Sequence, residues 1–179
     1  MTIAADRDRL LRLARAALIA RVRSERRPEP PSDLQIAASG AFVTLYCRDE
    51  LRGCLGTLDG RPPLAEAIVR LAGDVAREDY RFKPLRVDEL DDVHLEISVL
   101  SAPEIVIDPV EIVVGRDGLI VEEGARKGLL LPQVAPEHGW DREAFLSHTC
   151  LKAGLPPDAW RKGARIWRFH AEVFSERGN

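Results

Sequence analysis

The chain has 179 residues, enough for one well-packed domain or two lobes sharing a core, but not for two large domains. Apolar residues make up 45% and charged residues 31%, the balance of a globular chain rather than a disordered or membrane-embedded one. A net charge of −3 gives no overall attraction to nucleic acid or to an anionic membrane.

Ile3 to about Arg23 reads as an amphipathic helix, with Leu10, Leu11, Ala14, Leu18 and Val22 at three- and four-residue spacing and Arg on the other face. Its apolar run Ala16-Ala17-Leu18-Ile19-Ala20 is too short to span a membrane. Asp6 and Asp8 among the early Arg residues argue against a transit peptide. The Pro cluster from Arg27 to Pro31 ends the helix in a stiff surface linker. Residues 1–27 are therefore expected to form the N-terminal helix, 28–40 a linker and 41–179 the core of a single domain.

Ala41 to Cys47 is rich in β-branched and aromatic residues and reads as a strand. The chain turns around Arg48-Asp49-Glu50, and Leu51 to Leu58 is the return strand, loosened by Gly53 and Gly56. Pro62-Pro63 opens a helix to about Arg77, with Leu64, Ala67, Ile68, Leu71 and Val75 on one face. Tyr80 to Glu89 is irregular, and Val93 to Leu100 alternates as a strand with one face buried. Val110 to Gly115 and Gly118 to Glu122 are expected to be strands joined by a hairpin at Gly115-Arg116-Asp117-Gly118, with a third strand from Gly128 to Leu131. Asp141 to Ala153 reads as a helix capped by Asp141 and followed by Gly154. Arg165 to Glu176 closes the fold as a strand. With no regular β-α-β rhythm, the class is α+β, a mixed or antiparallel sheet with flanking helices.

Three widely spaced Cys residues argue against a disulfide framework and for a reducing, cytoplasmic setting. There is no CxxC or HxxxH spacing, no GxGxxG, P-loop or HExxH, so no metal and no cofactor is expected.

Phe42-Val43-Thr44-Leu45-Tyr46 leads into Leu51-Arg52-Gly53-Cys54-Leu55-Gly56-Thr57-Leu58, followed by Arg81-Phe82-Lys83-Pro84-Leu85, Leu95 to Ser101 before Pro103-Glu104, Leu130 to Ala135 with Gly139-Trp140, and Phe145 to Leu155. In this order, from about Ala41 to Phe174, these blocks resemble the AMMECR-one domain family, the A component of the AmmeMemoRadiSam system. The Leu51–Gly56 segment is close to the family's LRGCIG signature, with Leu55 in place of the usual Ile. Arg48-Asp49 departs from the Gly the family often has in the preceding turn. The resemblance implies a larger α+β lobe and a smaller β lobe. It also implies an association with a Memo-type protein and a radical SAM protein, and a biochemistry that is not well defined.

Arg52 and Cys54 are two apart, so on a regular strand they share a face, where a guanidinium would favour a thiolate. Gly53 and Gly56 would let a substrate approach the backbone. These are the ingredients of a nucleophilic Cys site; the competing reading is a Cys packed in an apolar strand. Register decides between faces. A two-residue turn at Arg48-Asp49 puts Cys54 with Val43 and Leu45, and a three-residue turn puts it with Thr44 and Tyr46. The candidate base is His148, which would share a helix face with Lys152, against the reading of an ordinary exposed His. His94 and His170 read as surface or edge residues. Glu96 interrupts an apolar strand and either faces solvent or lines the same cleft as the signature strand. Gln133 and Glu137 either bind a polar substrate or cap the following helix, and Trp140 reads as a packing anchor. Cys150 reads as packing.

Two functions are carried forward: a Cys-dependent enzyme acting through Cys54, Arg52, Glu96 and His148 on a small polar or aromatic molecule, with Gly53, Gly56, Gln133 and Glu137 binding; and a non-catalytic binding or scaffold module for a partner protein. Nucleic acid is the weaker partner, because the charge is acidic and no aromatic–basic cluster was identified.

Overall fold

The computed structural model describes residues 3–177, and the chain divides into two compact units. The first runs to Val99 and takes the chain back from Glu172; the second is Leu100–Ala171.

The first unit begins with α1 (Arg7–Arg23), whose apolar stripe is its buried face: Leu10, Ala14 and Leu18 are fully enclosed. The linker is more than a spacer, because Leu34 and Ile36 are buried in the same core. The Ile36 carbonyl accepts the Leu64 amide at 2.9 Å, where α2 (Leu64–Asp74) starts behind Pro63. Both helices pack on one face of a sheet ordered β2-β1-β3 and then the end of β7, where β1 is Gly40–Cys47, β2 Glu50–Thr57, β3 Val93–Leu100 and β7 Arg165–Ser175. Val43, Leu45, Leu95 and Ile97 of the sheet enter this core with less than 1% exposure each, which at roughly 1.5–3 kcal/mol per buried aliphatic side chain makes it the main support of β1 and β3. Arg15 fastens α1 to the sheet by donating to the carbonyls of Leu90 and Val93 and pairing with Glu176, whose own amide bonds the Leu95 carbonyl.

The β1–β2 hairpin resolves the register question in a way neither simple turn would. The turn has two residues, Cys47 opposite Glu50, and both Arg48 (φ 50°) and Asp49 (φ 68°) take the left-handed backbone that such a turn needs. Arg177 holds Asp49 from the strand end at 2.6 Å. Yet Cys54 lies opposite Thr44, not Val43, because Leu45 pairs with Gly53 and Tyr46 with Leu51. Arg52 is thus the extra residue of a β-bulge, and it shifts every later residue of β2 by one face.

The second unit pairs β7 with β5 (Asp117–Glu123) on one side and with β4 (Glu104–Ile105) on the other, and β6 (Arg126–Leu130) closes the β5 side, all antiparallel. Phe145 and Leu146 of α4 (Arg142–Lys152) pack on Leu119 and Ile166. Asp141 caps α4 through the Ala144 amide at 2.8 Å, and Gly154 follows at φ 70°. The strand expected over Val110–Gly115 does not form. Pro109 opens a 3-10 turn there, and the Asp108 carboxylate accepts the Val110 amide at 2.9 Å. The expected hairpin at Gly115–Gly118 is instead a turn in which the Val113 carbonyl takes the amides of Arg116 and Asp117, and the β hairpin lies at Gly124-Ala125. A short α3 (Val134–Glu137) was not foreseen. Among the described residues no helix is long and apolar enough to cross a membrane.

Candidate functional site

The bulge at Arg52 turns Cys54 away from the helical core. Thr44 and Cys54 face each other directly across the strands, where side chains come closest, and the Thr44 hydroxyl lies 3.4 Å from Cys54 Sγ as a donor. The sulfur is half-buried. Gly53, one residue earlier, points the other way. A Cβ there would meet Val75 Cγ2 at 3.1 Å and the Val75 carbonyl at 3.3 Å, so the glycine lets the end of α2 lie on the strand. Gly56 shares the Cys54 face, and the room it leaves is filled by the Phe42 ring, 2.1 Å from where a Cβ would stand. Gly53 therefore makes room for the chain to pack on itself, and Gly56 makes room for the Phe42 ring while staying exposed.

β2 is an edge strand, and the N–H and C=O of Cys54 point outward from it. Asp79 accepts the Cys54 amide at 2.9 Å, and Arg81 Nη2 donates to the Cys54 carbonyl at 3.4 Å. Asp79 also accepts the Arg81 amide at 3.2 Å and the Arg81 guanidinium at 2.8 and 2.6 Å. The Asp79 side chain is 3% exposed and that of Arg81 46%, so one end of the pair is buried under the strand and the other reaches solvent. The guanidinium hydrogen bonds, aided by the two amides, hold the Asp79 carboxyl well below the usual carboxylate range despite the opposing effect of burial. Asp79 in turn holds Arg81 above its ordinary value, with a smaller charge contribution from Cys54. Between them Tyr80 is 95% exposed, and Arg81 lies over the Phe82 ring at 5.4 Å. Tyr80-Arg81-Phe82-Lys83 is thus an aromatic–basic alternation beside Cys54, where no such cluster was expected.

Arg52 does not supply the guanidinium at Cys54. It grips Glu89 with two bonds, Nε–Oε1 at 2.9 Å and Nη2–Oε2 at 3.2 Å, and Glu89 is lowered first by that contact. Glu96 does share the Cys54 face. The His94 ring stacks on Tyr46 at 5.3 Å, which puts His94 on that side of β3, and alternation carries Glu96 with it while Leu95 and Ile97 go to the core. His94 is more than an edge residue: its Nδ1 is buried with no hydrogen-bond partner among the described residues, and burial pushes its pKa down.

The remaining candidates lie in the second unit. His148 is exposed on α4, its ring stacked on Trp140 at 3.8 Å with 2° between the planes, and the His138 ring also stacks on Trp140, at 4.7 Å. Gln133 precedes α3 and Glu137 ends it; neither caps α4, which Asp141 does. Cys150 is fully buried and its thiol is pushed up by burial. Among the described residues no three His, Cys, Asp or Glu side chains gather as a metal would require.

Asp79, Thr44, Arg81 and Tyr80 were not among the site residues expected from sequence, although Arg81 lies in one of the blocks that carry the family resemblance. The available signal was Asp79 two residues before Arg81, the spacing at which an Asp side chain accepts the later amide in an Asx turn.

The AMMECR1 family profile matches residues 11–174. A protein of Thermofilum pendens is 48% identical over 187 residues, covering 93% of this chain and 88% of the relative. One from Thermococcus gammatolerans is 48% identical over 181 residues with the same coverage. The crystal structure of the uncharacterized protein PH0010 from Pyrococcus horikoshii superposes with a TM-score of 0.84 at 43% identity, covering 95% of this chain and 92% of that one. A profile match across nearly the whole chain, with relatives of this identity and a shared fold, makes this chain a member of the AMMECR1 family.

Proposed function

We propose that the protein is a Cys54-dependent enzyme acting on a small polar or aromatic molecule, beside the Memo-type and radical SAM partners that the family resemblance implies. The observation that carries this reading is the mounting of Cys54. The bulge turns the thiol off the core face, Thr44 orients the sulfur, and a buried carboxylate with a solvent-reaching guanidinium holds both backbone groups of the residue. A Cys kept only for packing needs no such frame. In this reading Arg81 meets the polar or anionic part of the substrate, Tyr80 offers a ring for stacking, and Glu96 and His94 are the proton-exchanging groups on the same sheet face. Arg52 is a positioning residue, because its guanidinium is committed to Glu89.

The test replaces the gene in its own cells with Cys54→Ala and Cys54→Ser forms whose thermal unfolding matches wild type, and compares metabolite profiles with a deletion strain. Both variants reproducing the deletion profile supports the enzyme. A wild-type profile from Cys54→Ala sinks it.

The second reading, a binding or scaffold module, is favoured by Tyr80, an aromatic ring 95% exposed next to Arg81. A Tyr80→Ala chain that loses a co-purifying partner while Cys54→Ala keeps full in-cell function would select it.

A further inference from the structure

The second unit carries an open sheet edge. Glu104 lies opposite Arg168 and Ile105 opposite Trp167, and the ladder continues with the Val106 amide donating to the Ile166 carbonyl at 2.9 Å. In an antiparallel ladder, residues that bond the neighbour alternate with residues whose N–H and C=O point away. Glu104 and Val106 therefore face β7, and the N–H and C=O of Ile105 face outward, where β4 has no strand partner among the described residues; the Ile107 amide, in the bend that follows, donates to no group among the described residues. Val106 sends its side chain into the core, while Ile107 is 88% exposed, Val110 61%, Ile105 47% and Val113 44%. Single exposed aliphatics are ordinary, but four within nine residues of chain beside an unpaired edge concentrate apolar surface there, as interaction surfaces do.

Charge selects the occupant. Between Ser101 and Gly115 the chain carries Glu104, Asp108 and Glu111 and no Lys or Arg. Arg168 pairs with Glu104 and Glu111, yet those carboxylates stay 70% and 43% exposed and three acidic side chains outnumber this one Arg, so the segment stays net negative. Two copies of this edge laid together would set carboxylates against carboxylates, which disfavours a second copy. Pro103 and Pro109 bound the edge and limit an added strand to about five residues, at one cross-strand position per residue.

We propose that β4 is a docking edge that takes an extended basic segment of a partner protein as an additional strand. Its apolar side chains cover Ile105, Ile107 and Val110, and its Lys or Arg side chains meet Glu104, Asp108 and Glu111.

The test is fluorescence anisotropy of the full chain with a labelled seven-residue peptide of alternating Lys and Val. Controls are the Glu and Val counterpart and a Lys and Val peptide interrupted by a central Pro. Saturable binding of the first alone is expected. Ile107→Pro removes an N–H that bonds no group among the described residues, so it should keep the wild-type unfolding midpoint yet weaken binding by roughly tenfold or more, as should Ile107→Lys. Equal binding of the acidic and basic peptides, no binding of either, or full binding by the correctly folded Ile107→Pro chain each overturns the proposal. So does self-association of the chain that Ile107→Lys abolishes, which would assign the edge to a second copy.

Discussion

Asp79→Asn is the most informative single change, because it keeps the side-chain size and removes the charge from the frame around Cys54. Asp79 accepts one bond from the Cys54 amide and three from Arg81. An Asn has one acceptor oxygen and turns an NH2 toward donors that already point at it. Hydrogen bonds to a charged group are worth about 1.5–3 kcal/mol each, and breaking a fully buried ion pair costs about 3–5 kcal/mol. The upper range is not reached, because the Arg81 side chain is 46% exposed and can return to water. The expected loss is about 2–3 kcal/mol in urea unfolding at pH 7 with an unchanged m-value. The Cys54 amide should exchange with solvent faster than its neighbours on β2. The folded carboxyl titrates below its unfolded range, so its stabilisation is complete above about pH 4 and is lost as pH falls toward the folded value. The wild-type advantage over Asp79→Asn should therefore be level from pH 5 to 8 and shrink below about pH 4. Equal stability of the two chains at pH 7, with unchanged exchange at Cys54, would refute the frame.

Gly56→Ala should destabilise by about 1–3 kcal/mol, because its Cβ meets the Phe42 ring, and most of that loss should be relieved in a Phe42→Ala background; additive losses would remove the ring contact from the account. Arg48→Gly should stabilise by about 0.5–1 kcal/mol, since Arg48 takes φ 50° in the hairpin turn, and thermal unfolding would show the opposite shift if the turn is misassigned. His94 has a pKa lowered by burial, so its neutral form is favoured in the fold. Stability should be full above its unfolded value near pH 6.5 and decline as pH falls below it, and His94→Phe, which keeps a ring on Tyr46, should flatten that decline. An unchanged pH profile in His94→Phe would show that another group is responsible.

Most of the frame was legible in the sequence because periodicity reports burial. The stripe on α1 is the buried face it predicted, and the alternation of β3 holds from Val93 to Ile97, while beyond it Ser98 and Leu100 are buried on the second face as well. Asp141 before Arg142 and Gly154 beyond Lys152 marked α4 for the local reasons that caps do. Val110 to Val114 misled because its β-branched composition favours a strand, while Pro109 and the Asp108 cap commit its start to a turn. The site was harder to read. Alternation put Arg52 and Cys54 on one face, but a bulge at Arg52 cancels alternation across it, and no local pattern announces a bulge. The face of Cys54 was set by neither turn length alone. Arg81 could not be ranked above Arg52 as the nearby guanidinium, because that depends on Asp79 being buried under an edge strand 25 residues away in sequence.

The enzyme reading requires Cys54 to be a solvent-reachable thiol beside the Arg81 guanidinium. The direct measurement is the alkylation rate of each Cys in the native chain with neutral iodoacetamide and with anionic iodoacetate, resolved by peptide mass spectrometry. Cys54 should react before Cys47 and Cys150, with a relative preference for iodoacetate that Arg81→Lys keeps and Arg81→Met loses. Cys54 reacting no faster than Cys47, or an iodoacetate preference indifferent to Arg81→Met, would contradict it.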